Sequence, residues 1–163
     1  YSAIINFLTS IKASPEKLTV PTYSHTTYDV TDDKRIIENP DILIIEGLNL
    51  LQSDPTGIGI EKPAIKDFLD LCIFLIADEQ DIEDWYVSRF INLCDDAKQN
   101  KSSFFNRYSE LSENEAIEEA KMIWNLINSP NFKENIAPLK NLADVILFKG
   151  KDHSIWKLAL KED

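Results

Sequence analysis

A histidine lies between two tyrosines in the stretch from Tyr23 to Tyr28 (YSHTTY). Histidine titrates near neutral pH and both donates and accepts hydrogen bonds, and each tyrosine adds a polar tip to an apolar ring. Tyr23, His25 and Tyr28 therefore suggest a pocket for a small polar ligand. A surface loop with chance aromatics fits the same pattern, because exposed loops also collect polar residues.

A second candidate group lies in the stretch WYVSRF, where Tyr86 and Arg89 are three residues apart. That spacing puts both side chains on neighbouring positions of one helix face. An arginine beside an aromatic ring, following a predicted strand, is a candidate clamp for a phosphate or a carboxylate. The alternative is an arginine on a solvated face above a core aromatic.

Two further stretches have both a functional and a structural interpretation. Phe104, Phe105 and Tyr108 could line an apolar pocket or belong to the core. Lys149 and His153 bracket a short basic turn that could bind an anion or stack on a base, or could be a solvated hairpin turn.

The run ILII at residues 42–45 leads directly into Glu46 and Gly47. Four consecutive apolar residues predict a strand buried on both faces, as in a parallel sheet covered by helices. Glu46 would then follow the carboxyl end of that strand, where open α/β sheets bind ligands. The alternative is a core strand that ends in an ordinary acidic turn.

Hydrophobic periodicity predicts the elements that would position these side chains. Helices are expected at residues 1–11, from Asp78 to about 93, and after a capping box at Ser112 and Glu115, with Pro130 just past the last helix. Residues 18–23 and 35–38 would form a hairpin closed by a turn at 31–34. Buried or final strands are expected at 42–45, 69–77, 142–148 and 155–160. This order predicts a three-layer α/β domain spanning residues 1–163.

Composition excludes several classes of function. The 163 residues carry 17 Lys and Arg against 28 Asp and Glu, a net charge of −11, which argues against a general nucleic-acid binder. No apolar run reaches the length of a membrane span, and no signal peptide is visible, so no membrane partner is expected. The two cysteines, Cys72 and Cys94, do not form a CxxC motif, and we expect a reducing, cytoplasmic setting.

Several catalytic motifs are absent from the sequence. The two histidines are far apart and no HExxH occurs, so no metal site is assigned directly. The only glycines are Gly47, Gly57, Gly59 and Gly150, and no two are five apart. The phosphate-binding P-loop, G-x-x-x-x-G-K-[ST], is therefore not present in these residues.

Taken together and in order, these stretches resemble bacterial-type (type I) pantothenate kinases. The matching segments are 21–30 (PTYSHTTYDV), 40–52 (PDILIIEGLNLLQ), 85–90 (WYVSRF), 103–108 (SFFNRY), 116–128, 135–138 (NIAP) and 147–153. Each motif alone is weakly specific, whereas the ordered series is strong. Uridine kinases, which are related P-loop kinases, share the strand followed by Glu-Gly.

The resemblance implies an α/β, three-layer P-loop kinase-like fold with a mainly parallel sheet. It also implies transfer of a phosphoryl group from ATP, with Mg²⁺, to the 4′-hydroxyl of pantothenate, the first step of coenzyme A synthesis. Family members are usually inhibited by coenzyme A and are usually homodimers. Because the P-loop and the proposed catalytic aspartate precede the matched region, we expect a carboxyl-terminal portion, truncated on its N-terminal side and inactive alone. Its sheet would expose strand edges, which favours association.

Roles transfer to this chain only where its residues match the motifs. The resemblance implies that Tyr23, His25, Tyr28, Tyr86 and Asn128 bind pantothenate. Arg89 would bind pantothenate and also act catalytically, where a guanidinium suits the transferring phosphate. Phe90, Phe105 and Tyr108 would form a pocket wall, Lys149 and His153 would contact the nucleotide, and Glu46 would act near Mg²⁺.

Two other hypotheses remain open at the level of sequence. One is a uridine kinase-like enzyme with a different acceptor. The other is a non-catalytic regulatory module that has the acceptor pocket but no phosphate loop.

Overall fold

A computed structural model describes residues 1–13, 17–24, 29–52 and 63–161 of the chain. Two of the predicted site residues, His25 and Tyr28, lie outside the described residues. Gly57 and Gly59 do so as well.

The first helix, α1, spans Ser2–Lys12 and buries Leu8. It packs on the 3₁₀ turn Ile65–Phe68, where the Tyr1 hydroxyl accepts a hydrogen bond from the Ile65 backbone N–H at 3.2 Å. The helix predicted at residues 1–11 is therefore confirmed.

A two-stranded antiparallel hairpin follows, formed by β1 (Leu18–Ser24) and β2 (Asp29–Ile37). The turn predicted at residues 31–34 is wrong, because these residues belong to β2. The Thr31 and Thr22 hydroxyls meet across the strands at 2.6 Å, and this pairing overrides the local turn preference of the acidic residues. The register shifts between Pro21 and Thr22, which suits a proline that cannot donate to a ladder.

The main sheet of the described residues has three strands in the order β3 (Ile73–Ile76), β4 (Val145–Lys149) and β5 (Ile155–Leu160). β3 pairs with β4 in parallel, whereas β4 pairs with β5 antiparallel. The α/β class is thus confirmed, but the described sheet is mixed and not mainly parallel. The antiparallel pair arises because β4 and β5 are joined by a tight turn, which only antiparallel strands allow.

Residues 42–45, which are predicted to form a strand buried on both faces, do not form a strand in the structure. This prediction is therefore wrong. Ile42 and Ile44 are 81% and 87% exposed. An apolar run becomes a buried strand only where neighbouring strands and helices cover it, and no ladder partner for it lies within the described part of the chain. A groove of about 870 Å³ separates this segment from Ile73 and Leu75 of β3.

The second helix, α2, spans Glu79–Gln99 and is capped by Asp78. Asp78 Oδ1 accepts a hydrogen bond from the Gln80 backbone N–H at 2.9 Å. Helix α3 (Glu113–Ile123) begins at the predicted capping box. The two helices and the 3₁₀ turn Phe104–Tyr108 share one core, made by Phe90, Cys94, Ala97, Phe105, Ala116 and Ala120. The small alanines of α3 let the helix backbones approach closely enough for the rings to fill the remaining space.

Helical structure continues beyond α3 through two π turns, Trp124–Asn128 and Phe132–Ile136, separated by one α turn at Ser129–Asn131. The prediction that Pro130 lies just past the helix is therefore wrong. A proline ring normally clashes with the carbonyl four residues before it. The widened turn explains how the ring is accommodated here, because the Ser129 N–H reaches back five residues to the Trp124 carbonyl.

We predict that Phe105→Ala lowers the free energy of unfolding by about 3 to 5 kcal/mol, because it empties a buried ring position. Phe104→Ala is the matched control, since the neighbouring ring is 39% exposed, and it should cost clearly less. Urea unfolding of both variants measures the difference. Equal losses would contradict the position of Phe105 in the core.

Candidate functional site

Helix α2 carries three of the predicted site residues, Tyr86, Arg89 and Phe90. Tyr86 is half-buried, and its ring centroid lies 5.7 Å from Trp124 and 6.3 Å from Phe90. Arg89 is exposed one helical turn further on. The predicted helical spacing of Tyr86 and Arg89 is thus confirmed, and the two side chains lie on adjacent turns of α2.

Asn128 ends the first π turn and is half-buried. Trp124, at the beginning of the same turn, packs against Tyr86, so the structure brings the Tyr86 helix and the Asn128 turn together. π turns are rare and occur frequently at functional sites.

The predicted pocket wall is a cluster of mutually packed rings. The Phe90 centroid lies 5.6 Å from that of Phe105 and 5.1 Å from that of Tyr108. Phe90 and Phe105 are buried, whereas Tyr108 is half-buried. These contacts show that the aromatic residues belong to the core. The sequence leaves open whether they line a pocket or form part of the core. A wall role for the half-buried edge of Tyr108 remains a prediction.

The basic turn between β4 and β5 docks on one residue that the sequence interpretation missed, Trp85. The Lys149 ammonium lies 4.4 Å from the centre of the Trp85 ring, and the His153 ring stacks on that ring at 4.5 Å. The Trp85 indole N–H also donates to the Lys151 carbonyl at 3.2 Å. The structure therefore brings Lys149 and His153 together. Because Trp85 precedes the turn by more than sixty residues, no local pattern could reveal this contact.

An ion pair also connects the basic turn to α2. The Lys151 ammonium donates to Asp84 Oδ2 at 3.0 Å. Hydrogen bonds from Lys151 and then Gln80 hold the pKa of Asp84 below its usual value, with a further contribution from the charge of Lys121. The same pair raises the pKa of Lys151.

The first turn of α2 is connected to the region around Asn128. Glu79 Oε1 accepts a hydrogen bond from the Ser129 hydroxyl at 2.7 Å and lies 2.8 Å from the Lys133 ammonium. Lys133 and then Ser129 lower the pKa of the Glu79 carboxyl. An acidic residue in a first helical turn usually suggests only a favourable helix-dipole interaction, so no sequence pattern indicates this contact.

Two predicted residues lie apart from α2. Tyr23 is half-exposed near the end of β1, and Glu46 is exposed at the groove beside β3. Within the ranges that the structure describes, no group of three His, Cys, Asp or Glu side chains could hold a metal. Mg²⁺ bound to nucleotide phosphates keeps several waters and needs only one or two protein carboxylates, so the single carboxylate of Glu46 fits that arrangement.

None of the helices in the described residues is both long enough and apolar enough to span a bilayer.

Comparison with known proteins defines the class. Residues 3–91 match the model of the phosphoribulokinase / uridine kinase family. The chain belongs to this family, and the predicted P-loop kinase-like fold is confirmed at this level.

Curated relatives within that class carry a more specific name. The chain is 45% identical over 163 residues to a "Pantothenate kinase" of Rhizobium johnstonii, covering 98% of the chain and 49% of the relative. It is 41% identical to the "Pantothenate kinase" of Streptomyces coelicolor, with coverages of 98% and 49%. A Listeria monocytogenes "Pantothenate kinase" is 45% identical over 156 residues, with coverages of 96% and 50%. The predicted resemblance is confirmed, and the chain spans about half the length of these relatives.

We predict that Asp84→Asn lowers the melting temperature at neutral pH and that this difference fades in acid. A carboxyl whose pKa is lowered in the folded state stabilises the fold above its ordinary value of 3.8, and this stabilisation disappears as pH falls through the folded value. Melting curves from pH 7 downward measure it. Asp96→Asn, which removes the same charge at an exposed position near the other end of α2, is the matched control.

Proposed function

We propose that this chain is the carboxyl-terminal, acceptor-binding part of a pantothenate kinase and forms a single domain. The complete enzyme transfers the γ-phosphoryl group of ATP to the 4′-hydroxyl of pantothenate, the first step of coenzyme A synthesis. The observation that carries this proposal is the identity of 41–45% to proteins named pantothenate kinase, which extends over nearly the whole chain. A cytoplasmic location and a homodimeric full-length enzyme belong to the same proposal.

The acceptor site, in this proposal, forms around Tyr86 and Asn128. The packing of Tyr86 on Trp124 supports it, because that contact joins the two elements that carry these side chains. Tyr23, His25 and Tyr28 are proposed to bind the same acceptor, as the resemblance implies. Arg89, exposed on the next turn of α2, places a planar guanidinium where it binds the acceptor carboxylate or the transferring phosphate.

The nucleotide side, in this proposal, is the basic turn. Lys149 and His153 present a charge and a flat ring near each other, and Trp85 holds both. Glu46 is the residue that would hold Mg²⁺, which offsets negative charge on the phosphates when it is bound. Coenzyme A, with an adenine and a pantothenate-derived arm, is proposed as a feedback inhibitor that contacts the basic turn and the edge of Tyr108.

We predict that millimolar pantothenate raises the melting temperature of this chain, because a ligand that binds only the folded state stabilises it by mass action. Tyr86→Phe and Asn128→Ala should abolish most of the rise. Asn125→Ala is the matched control, since the Asn125 amide is exposed and donates to the Lys121 carbonyl of its own helix. Coenzyme A is tested in a separate series.

Uridine is the discriminating ligand for the second candidate function. The matched family model includes uridine kinases, which favours a nucleoside as the competing acceptor. A rise in melting temperature with uridine but not with pantothenate would overturn the pantothenate assignment. A rise with pantothenate that full-length protein cannot convert into product would favour the regulatory module.

We also predict no turnover by this chain alone when it is supplied with ATP, Mg²⁺ and pantothenate. Phosphoryl transfer depends on a cradle for the phosphates, and no G-x-x-x-x-G-K-[ST] sequence occurs in the 163 residues. ADP release measured in a coupled assay tests this expectation. Release that depends on pantothenate and exceeds the background without protein would contradict it.

A further inference from the structure

The first π turn brings two residues of its helix onto the face that meets α2. In an α-helix, Trp124 and Ser129 would point about 140° apart, because each turn takes about 3.6 residues. The π turn instead bonds the Ser129 N–H to the Trp124 carbonyl, so the two residues lie one above the other. Trp124 then meets Tyr86, and Ser129 meets Glu79.

The partner residues on α2 have the matching spacing. Glu79 and Tyr86 are seven residues apart, which brings them onto the same helix face within about 20°. The two helices are therefore joined at two levels, by ring packing at Tyr86 and by a carboxylate contact at Glu79. A regular α-helix through Trp124 and Ser129 could make only one of these two contacts with α2.

The contact at Glu79 is a charge-assisted one. Ser129 is 7% exposed, and its hydroxyl donates to the same carboxylate oxygen that pairs with Lys133 of the second π turn. Hydrogen bonds to ionised groups are shorter and stronger than neutral ones. One carboxylate thus connects the start of α2 to residues on both sides of Pro130.

We propose that Glu79 is a positioning residue that holds the π turn in register and thereby orients Asn128 toward the acceptor site. Asn128 lies between the two fixed points, because Trp124 precedes it in the turn and Ser129 follows it directly. With both points held, the direction of its amide is set by the backbone of the turn. The identity of the ligand in this inference rests on the proposed function. The geometry of the π turn and of Glu79 does not.

The test compares Glu79→Ala with Glu83→Ala, which removes the same group from the same helix one turn later. Pantothenate affinity is measured by calorimetric titration of the chain. Glu79→Ala should weaken binding about tenfold, the factor expected when about one molecule in ten keeps the binding-competent turn, whereas Glu83→Ala should leave it unchanged. Equal affinities for the two variants would overturn the proposal.

A charge-reversed pair separates positioning from general stability. Glu79→Lys combined with Lys133→Glu restores an ion pair between α2 and the second π turn, so pantothenate affinity should recover toward the wild-type value. Glu79→Lys alone should stay weak. Melting temperatures of all variants show whether each one is folded, and weak binding that persists in the reversed pair would argue against positioning.

If wild-type protein binds no pantothenate, amide hydrogen exchange still tests the positioning role of Glu79. That result alone would count against the proposed function. The positioning proposal would still predict faster exchange of the Ser129 N–H in Glu79→Ala than in wild type and in Glu83→Ala, because the bond from Ser129 to the Trp124 carbonyl opens more often. Unchanged exchange at Ser129 would overturn it.

Discussion

The packing of α2 against α3 and the Phe105 turn is the contact on which the rest of the candidate site depends. Phe90, Cys94 and Ala97 on α2 close over Phe105 and the alanines of α3, which fixes the rotation of α2 about its axis. With that rotation fixed, Tyr86 must face Trp124, and Trp85, one residue earlier, must face the basic turn. A single helix, α2, therefore orients both the predicted acceptor region at Tyr86 and the predicted nucleotide region at the basic turn.

The regular elements could be predicted from sequence because their signals are local. The helical spacing after Asp78, the capping box at Ser112 and Glu115, and the final strand at 155–160 each depend on residues within one element. The contacts that organise the site could not be predicted in this way. Glu79 meets Ser129 across 50 positions, and Trp85 meets Lys149 across more than sixty, so no periodicity links them. The predicted roles of all the site residues rest on resemblance and stay predictions, including those of Tyr86, Lys149 and His153.

Two of the wrong predictions, those for residues 42–45 and for Pro130, share one physical cause. An apolar run such as residues 42–45 and a proline such as Pro130 have strong local preferences, but the surroundings decide whether these preferences are realised. Residues 42–45 have the composition of a buried strand, yet among the described residues they have no ladder partner. Pro130 normally ends a helix, but the widened π turn before it accommodates the proline ring.

The groove between residues 42–45 and β3 differs from the rest of the proposed site in its exposure. Ile42 and Ile44 face it from one side, and Ile73 and Leu75 from the other, so it has apolar side chains on both walls. Exposed apolar surface is costly in water, and within the described residues no strand pairs with the outer edge of β3. Glu46 lies at the end of one wall. Glu46 therefore lies on an exposed groove, whereas Tyr86 and Asn128 are held by contacts within the described residues.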